Sequence, residues 1–273
     1  VPGYDYIAQA YSGFNEVTGE RGRAPAMPMA AIGDVSTGVH AFGAIACALL
    51  HRERTGEGQF IDVSLLDAYI HSHDFTIQAH SASGGKFVPT RSGAHHMGMA
   101  PCGIFKATDG YVVIVGALDH QWQGVARTIG HPEFIEDPRF RTNRDRVHHK
   151  KELIEAIEGW LDTMGGREEA VTAFHKERVP AAPVLTIPEV VAHPHLLERE
   201  AIRPISDRVL GDFVLPGFPF RFSTPARTDR DLEAPDLGEH NDQVLNKYLS
   251  METEQLRGLA DRGVLVSKPT PQR

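Results

Sequence analysis

The stretch from Ala30 to Arg54 constrains the fold more than any other, because its apolar residues repeat at a single period. Val39, Phe42, Ala46 and Leu49, with Leu50 beside them, recur at three- and four-residue spacing and so share one face of an α-helix. Gly38, Gly43, Ala44 and Ala48 keep the other faces small, which permits close approach of a strand or a second backbone. Arg52 and Arg54 fall in the last turn, where cations complement the negative end of the helix dipole, and Thr55-Gly56-Glu57-Gly58 supplies the stop. From Gln59 to Leu65 the period becomes two, with Ile61, Val63 and Leu65 alternating against Asp62 and Ser64; this predicts a half-buried strand. A second helix is expected from about Leu66. Helix, turn, strand, helix is the rhythm of an α/β sheet.

Ser81 to Pro101 then loses periodicity and fills with Gly, Ser, Pro and His, as a linker or functional loop does. Gly103 to Phe105 and Tyr111 to Val115 flank Asp109-Gly110, which predicts a hairpin. Helices are expected over His120 to Ile129, Lys150 to Met164 and Arg167 to Arg178. Pro180, Pro183, Pro188 and Pro194 punctuate a connecting stretch, Leu210 to Phe222 reads as extended, and Gly238 to Leu249 and Glu252 to Gly263 as two further helices. The expected organisation is a larger α/β domain over 1–80, a linker over 81–101, a smaller α+β domain over 102–191 and a return to the larger domain over 192–273.

Composition removes several function classes. A formal charge of -8, from 28 basic and 36 acidic side chains, with no basic run argues against nucleic acid as a partner. Cys47 and Cys102 lie far apart without a CxxC spacing, so neither a disulfide framework nor a zinc ribbon is indicated. The longest apolar-rich stretch, Ala41 to Leu50, falls short of the roughly 18 residues a membrane span requires, so no membrane is expected. Val1-Pro2-Gly3-Tyr4-Asp5 has neither the basic region nor the apolar core of a signal peptide, which makes a cytoplasmic location the expectation.

Among residues that could carry chemistry, Asp34 stands just before the apolar-periodic helix. It reads either as an N-cap or as a carboxylate kept ionised by the positive helix end. Fifteen histidines include the pairs His71/His73, His95/His96, His148/His149 and His193/His195, but no HExxH occurs and the pairs read as surface or loop residues, with no metal site expected. Gly56-Glu57-Gly58 follows a helix and precedes a strand, the reverse of a dinucleotide-binding order, and is a turn. Arg21 and Arg23 beside Gly19 and Gly22 read as a solvated turn or a phosphate contact.

Taken together, several segments resemble the class III CoA-transferase (CaiB/BaiF) family: Pro2-Gly3-Tyr4-Asp5-Tyr6-Ile7-Ala8-Gln9-Ala10, Ser12-Gly13, Val17-Thr18-Gly19, Ile32-Gly33-Asp34 with Thr37-Gly38, and Ala48 to Gln59 running into Asp62-Val63-Ser64-Leu65-Leu66-Asp67. Ala100-Pro101, Asp109-Gly110-Tyr111, Val179 to Val184 and Leu237-Gly238-Glu239-His240 continue the match in collinear order. The resemblance implies a Rossmann-like large domain, partial in this chain, a smaller α+β domain and an interlocked homodimer. Members carry a further N-terminal segment, so the initial Val reads as truncation, cleavage or a split subunit.

The resemblance also implies an exchange of CoA between an acyl-CoA thioester and a small carboxylic acid, with coenzyme A entering as substrate and no metal or redox cofactor. Asp34 falls on the family's nucleophile and Asp5 on an acidic position near it, with a supporting role. Pro2, Gly3 and Tyr4 match a stretch that lines CoA. Arg91, His95 and His96 are candidate contacts for the acceptor carboxylate, in a loop that lacks the long glycine run of some members. Backbone N–H groups near Gly33 or in the Gly84 to Gly98 loop are candidate oxyanion donors. Two alternatives stand beside transfer. The related α-methylacyl-CoA racemases place a His where Tyr4 stands, and a Tyr, with a pKa of about 10, suits that acid–base role poorly. The other alternative is a non-catalytic or half-site subunit that works with a partner.

Overall fold

The computed structural model describes residues 3–224 and 234–268, and the chain divides into two units, Val1–Val184 and Leu185–Arg273. The first unit begins with α1 (Asp5–Tyr11), α2 (Ile32–Thr55), α3 (Leu65–His71) and α4 (Thr76–Ala82). α2 ends where the sequence predicts: Gly56 turns left-handed at φ 79° and its N–H donates to Arg52 O at 2.8 Å. Its N-cap is Ala31, which has no side-chain acceptor, so Asp34 is not the cap but lies within the first turn. The Val39/Phe42/Leu49 stripe shares one face as expected, and that face is bare: these residues are 62%, 64% and 45% exposed.

Two further expectations change here. Gln59 to Leu65 forms no ladder; it runs extended at Ser64, Phe60 is 91% exposed, and no described segment pairs with it. Alternation makes a strand only where a neighbouring backbone takes up its N–H and C=O groups. Leu65 instead opens α3, because the Ser64 hydroxyl accepts from Asp67 N–H at 3.1 Å and caps the helix. The expectation that no segment reaches membrane length is narrowed. Ile32–Thr55 is 24 residues long with a mean hydropathy of 1.4 over its most apolar window, enough by length and composition to cross a membrane. Ser36, Thr37, Gly38, His40 and Gly43 interrupt the apolar run without bringing its average down to that of a polar helix.

The rest of the first unit is a sheet covered by helices. β1 (Cys102–Ala107) and β2 (Gly110–Val115) form the predicted hairpin across Thr108-Asp109, and β3 (Ala181–Pro183) joins β2, pairing Ile114 with Ala181. Phe105 and Ala107 from β1 and Val112 and Ile114 from β2 form the sheet's share of the core. Against them pack α5 (Asp119–Thr128), α7 (Lys150–Leu161) and α8 (Arg167–Lys176), with α6 (Asn143–His148) between the first two in sequence. Leu153, Ile157 and Leu161 recur every fourth residue of α7 and are at most 1% exposed. Full burial of each such side chain contributes about 1.5–3 kcal/mol.

Arg146 of α6 is fully buried in this core. Its Nε donates to Ala100 O at 2.7 Å and its Nη1 to Phe140 O at 3.1 Å, while the guanidinium lies 5.1 Å from the centre of the Trp122 ring. It thus ties the segment before β1 to the helices.

The second unit contains α9 (Ile187–Ala192), α10 (Pro194–Glu198), the antiparallel hairpin of β4 (Ile202–Asp207) and β5 (Gly211–Pro216), and helices α11 (Asn241–Leu249) and α12 (Thr253–Asp261). Of the extended stretch expected to Phe222, Gly211–Pro216 pairs. Helix and sheet are mixed as predicted, and all pairing among the described residues is antiparallel.

Candidate active site

α1, α2 and α3 meet at the start of α2, where Asp5 and Asp34, two of the candidate residues, lie. Asp5 is the first residue of α1 and only 7% exposed. Gln9, one helical turn later on the same face, is fully buried. From α3, 1% exposed Tyr69 reaches both: its hydroxyl donates to Asp5 Oδ1 and accepts from Gln9 Nε2 at 3.1 Å. The same oxygen accepts from Gly33 N–H at 3.2 Å, inside the first turn of α2. One donor and two acceptor positions are all a phenol offers, and all are filled. Burial, then the bond to Asp5, raises the Tyr69 pKa above its ordinary value, which keeps the hydroxyl a donor.

Gly33 is glycine for a steric reason. A Cβ there would lie 2.7 Å from Asp5 Oδ1 and overlap Tyr69 Cε2. Next to Gly33 along the chain, Asp34 is exposed in the first helical turn, where the positive end of the dipole favours an anion. Asp5 Oδ2 is buried with no hydrogen-bond partner among the described residues. Such a group costs about 1–3 kcal/mol and calls for a functional explanation.

The comparisons give this corner a context. The family described as CoA-transferase family III matches residues 1–241. The chain belongs to that family. Among curated relatives, the human succinyl-CoA:glutarate CoA-transferase is 31% identical, the match covering 96% of this chain and 59% of the relative. A succinate–glutarate CoA-transferase of Agrobacterium fabrum is 34% identical over 92% of this chain and 62% of its own, and a formyl-CoA:oxalate CoA-transferase of Streptomyces coelicolor is 31% identical over 96% and 67%. A solved CaiB/BaiF family protein from Brucella suis superposes with a TM-score of 0.69 at 31% identity, covering 90% of this chain and 62% of that one. The chain thus spans about three-fifths of the length of most of these relatives.

Within this family III chain the candidate residues divide. Asp5 and Asp34 meet through Tyr69 and Gly33. Tyr4 caps α1 without a side-chain bond and is 76% exposed, Gly3 is exposed beside it, and Pro2 lies outside the described residues. Arg91 is engaged elsewhere: its Nη1 contacts Glu16 Oε2 at 2.7 Å and donates to Glu16 O at 3.0 Å. His95 stacks edge-on against Phe105 at 4.8 Å, and His96 lies against Phe75. Lys150 Nζ donates to His96 O at 2.6 Å. Burial first and the Lys150 charge second pull both imidazoles below their ordinary pKa. The histidine pair thus belongs to the edge of the small sheet.

Among the backbone N–H groups nominated for an oxyanion, those of five glycines are already engaged. Gly33 donates to Tyr69, Gly84 to Ser81 O, Gly85 to His80 O, Gly93 to Gly19 O and Gly98 to His96 Nδ1. Among the described residues no group of three or more His, Cys, Asp or Glu is placed to hold a metal ion. Sequence reasoning missed Tyr69 and gave Gln9 no role. The Asp5/Gln9 spacing of four was the available signal for Gln9, whereas the approach of Tyr69, 64 positions from Asp5, had none.

Proposed function

We propose that this protein transfers CoA between an acyl-CoA thioester and a small organic acid, with Asp34 as the nucleophile. The supporting observation is the placement of Asp34, solvent-facing on the first turn of α2, beside a glycine tied through Tyr69 to buried Asp5. The names of the relatives, which act on succinyl, glutarate, formyl and oxalate groups, favour short mono- and dicarboxylates as substrates.

An Asp34 oxygen attacks the thioester carbonyl, the C–S bond breaks, and CoA leaves as thiolate with a mixed anhydride on Asp34. The thiolate attacks Asp34 Cγ, the anhydride C–O bond breaks, and the donor acid departs, leaving an aspartyl-CoA thioester. The acceptor carboxylate then attacks Cγ and expels the thiolate, which attacks the new acyl carbonyl, giving acyl-CoA and free Asp34. A carboxylate attacking a thioester needs the reacting atoms held together, and capture on Asp34 divides one exchange into steps that each keep a good leaving group. In this reading Asp5 tunes and positions the site, and Pro2, Gly3 and Tyr4 contact CoA. Arg91, His95 and His96 remain proposed acceptor contacts only through movement of their loop. An interlocked homodimer belongs to the same reading, supported by the bare apolar stripe of α2.

The test is exchange of labelled carboxylate into acyl-CoA by the intact protein. Asp34→Ala is expected to lose about 10³-fold or more in kcat. Exchange at the wild-type rate in that variant would overturn the mechanism, and solvent deuterium at the carbon beside the thioester without acid exchange would favour racemisation.

A further inference from the structure

We infer that Tyr69 is a positioning residue for Asp34, a tertiary cap that fixes the rotation and height of the first turn of α2. The inference deepens the reading of Asp34 as nucleophile and rests on it.

Ala31 caps α2 without a side-chain acceptor. The N–H groups of a first helical turn have no partner inside the helix, and a Ser, Thr, Asp or Asn cap ordinarily takes one. Here the acceptor for Gly33 N–H comes from α3, 36 positions away, as the Tyr69 hydroxyl. That oxygen is itself held by its bond to Asp5 and by Gln9 Nε2. Gln9 is held in turn, since its Oε1 accepts from Asn15 Nδ2 at 2.7 Å. The Phe14 ring packs 5.4 Å from the Tyr69 ring. The chain of fixed groups therefore runs from Asn15 through Gln9 and Tyr69 to the backbone one residue before Asp34.

Rotation per residue in an α-helix is about 100°, so a small change in the phase of the first turn swings the Asp34 carboxylate well away from its line of attack. The glycine at 33 lets the ring lie directly on the backbone. A cap of this kind sets position as well as satisfying a donor, because a rigid ring cannot follow the helix end as a serine side chain can. The unpartnered Asp5 Oδ2 is consistent with a carboxylate placed to hold this hydroxyl and not to be satisfied itself.

Tyr69→Phe keeps the ring and removes every bond made by the hydroxyl. A misplacement of that order is expected to lower kcat by about 10- to 100-fold with KM within about threefold. In single turnover, formation of the Asp34–CoA adduct, trapped and weighed by mass spectrometry, slows by the same factor, and hydrogen exchange at the Gly33 amide speeds by at least about tenfold as its acceptor is lost. A purely structural role would lower the melting temperature and leave adduct formation unchanged. The inference is overturned if Tyr69→Phe turns over within threefold of wild type while Asp34→Ala is inactive. An active Asp34→Ala would instead sink the nucleophile reading beneath it. Should Tyr69→Phe not fold, Gln9→Met carries the test, because it withdraws one of the bonds that hold the Tyr69 hydroxyl and leaves the ring and Asp5 in place. A kcat lowered by more than about threefold with KM unchanged supports action through Tyr69, whereas a kcat within about threefold of wild type overturns it.

Discussion

The helices on the three-stranded sheet and the α1–α2–α3 cluster are held by opposite means. The former surround Phe105, Ile114, Trp122, Ile157 and Phe174, none more than 2% exposed. The latter hangs on a few polar bonds around Tyr69, while Val35, Val39 and Phe42 of its main helix are 62–65% exposed. The module is held by a packed apolar core, whereas Asp34 stands exposed at the edge of a small buried polar network in which each hydrogen bond fixes a geometry. Both tryptophans, Trp122 and Trp160, lie in the module, so tryptophan fluorescence follows its unfolding while amide exchange at Gly33 follows the cluster.

The largest effect on stability is expected in the module. Phe174→Ala, at a site with no exposed surface, should cost about 3–5 kcal/mol in the fluorescence transition, since a cavity adds to the lost transfer energy. A loss below about 1 kcal/mol would show that this core does not hold the module. Arg146→Met should follow at about 2–3 kcal/mol. Replacing a buried ion pair by apolar residues is often harmless, but besides Asp119 Oδ1 at 3.9 Å the partners of Arg146 are the Ala100 and Phe140 carbonyls, which no side-chain substitution removes. Denaturant midpoints of Arg146→Met and Arg146→Lys against wild type would measure it.

The contrast also explains what the sequence disclosed. The hairpin at Asp109-Gly110 and the helices of Trp122, Ile157 and Phe174 were legible because local periodicity and the core that satisfies it lie in the same residues. The ladder expected over Gln59 to Leu65 failed because pairing depends on a second backbone that alternation does not specify. At the candidate site, Asp34 and Asp5 were named through family resemblance, and the bare spacing would have made Asp34 a cap. Tyr69 escaped notice because its meaning lies in three contacts, all made at least 36 positions away. Arg91 illustrates the reverse, a loop cation that looked available and is paired with Glu16.

A smaller effect is expected from pH. The His95 and His96 pKa values lie below the ordinary value in the folded module, through burial and the Lys150 charge. Below about pH 6.5 the unfolded chain therefore binds more protons than the folded one, and stability falls as pH falls through that range. The fluorescence midpoint should decrease from pH 7 to 5.5, and His95→Gln should flatten the slope. A midpoint that rises on acidification would reverse the sign and show that the folded module binds these protons more tightly.

The smallest change is expected at the other pole of the contrast. Val39 is 62% exposed in the middle of α2, and Ser and Val have similar helix propensities. Val39→Ser should therefore leave the unfolding of the single chain, followed at the Gly33 amide, within about 0.5 kcal/mol of wild type. If the proposed homodimer forms, the same substitution should weaken it, measured by light scattering across a dilution series, because contiguous exposed apolar patches mark interaction sites. A cost of 2 kcal/mol or more to the dilute chain would mean that Val39 is already packed within it, and the division between a self-sufficient module and a cluster held by polar bonds would fall. An unchanged dilution profile would leave that division standing and remove the stripe as support for the interlocked dimer.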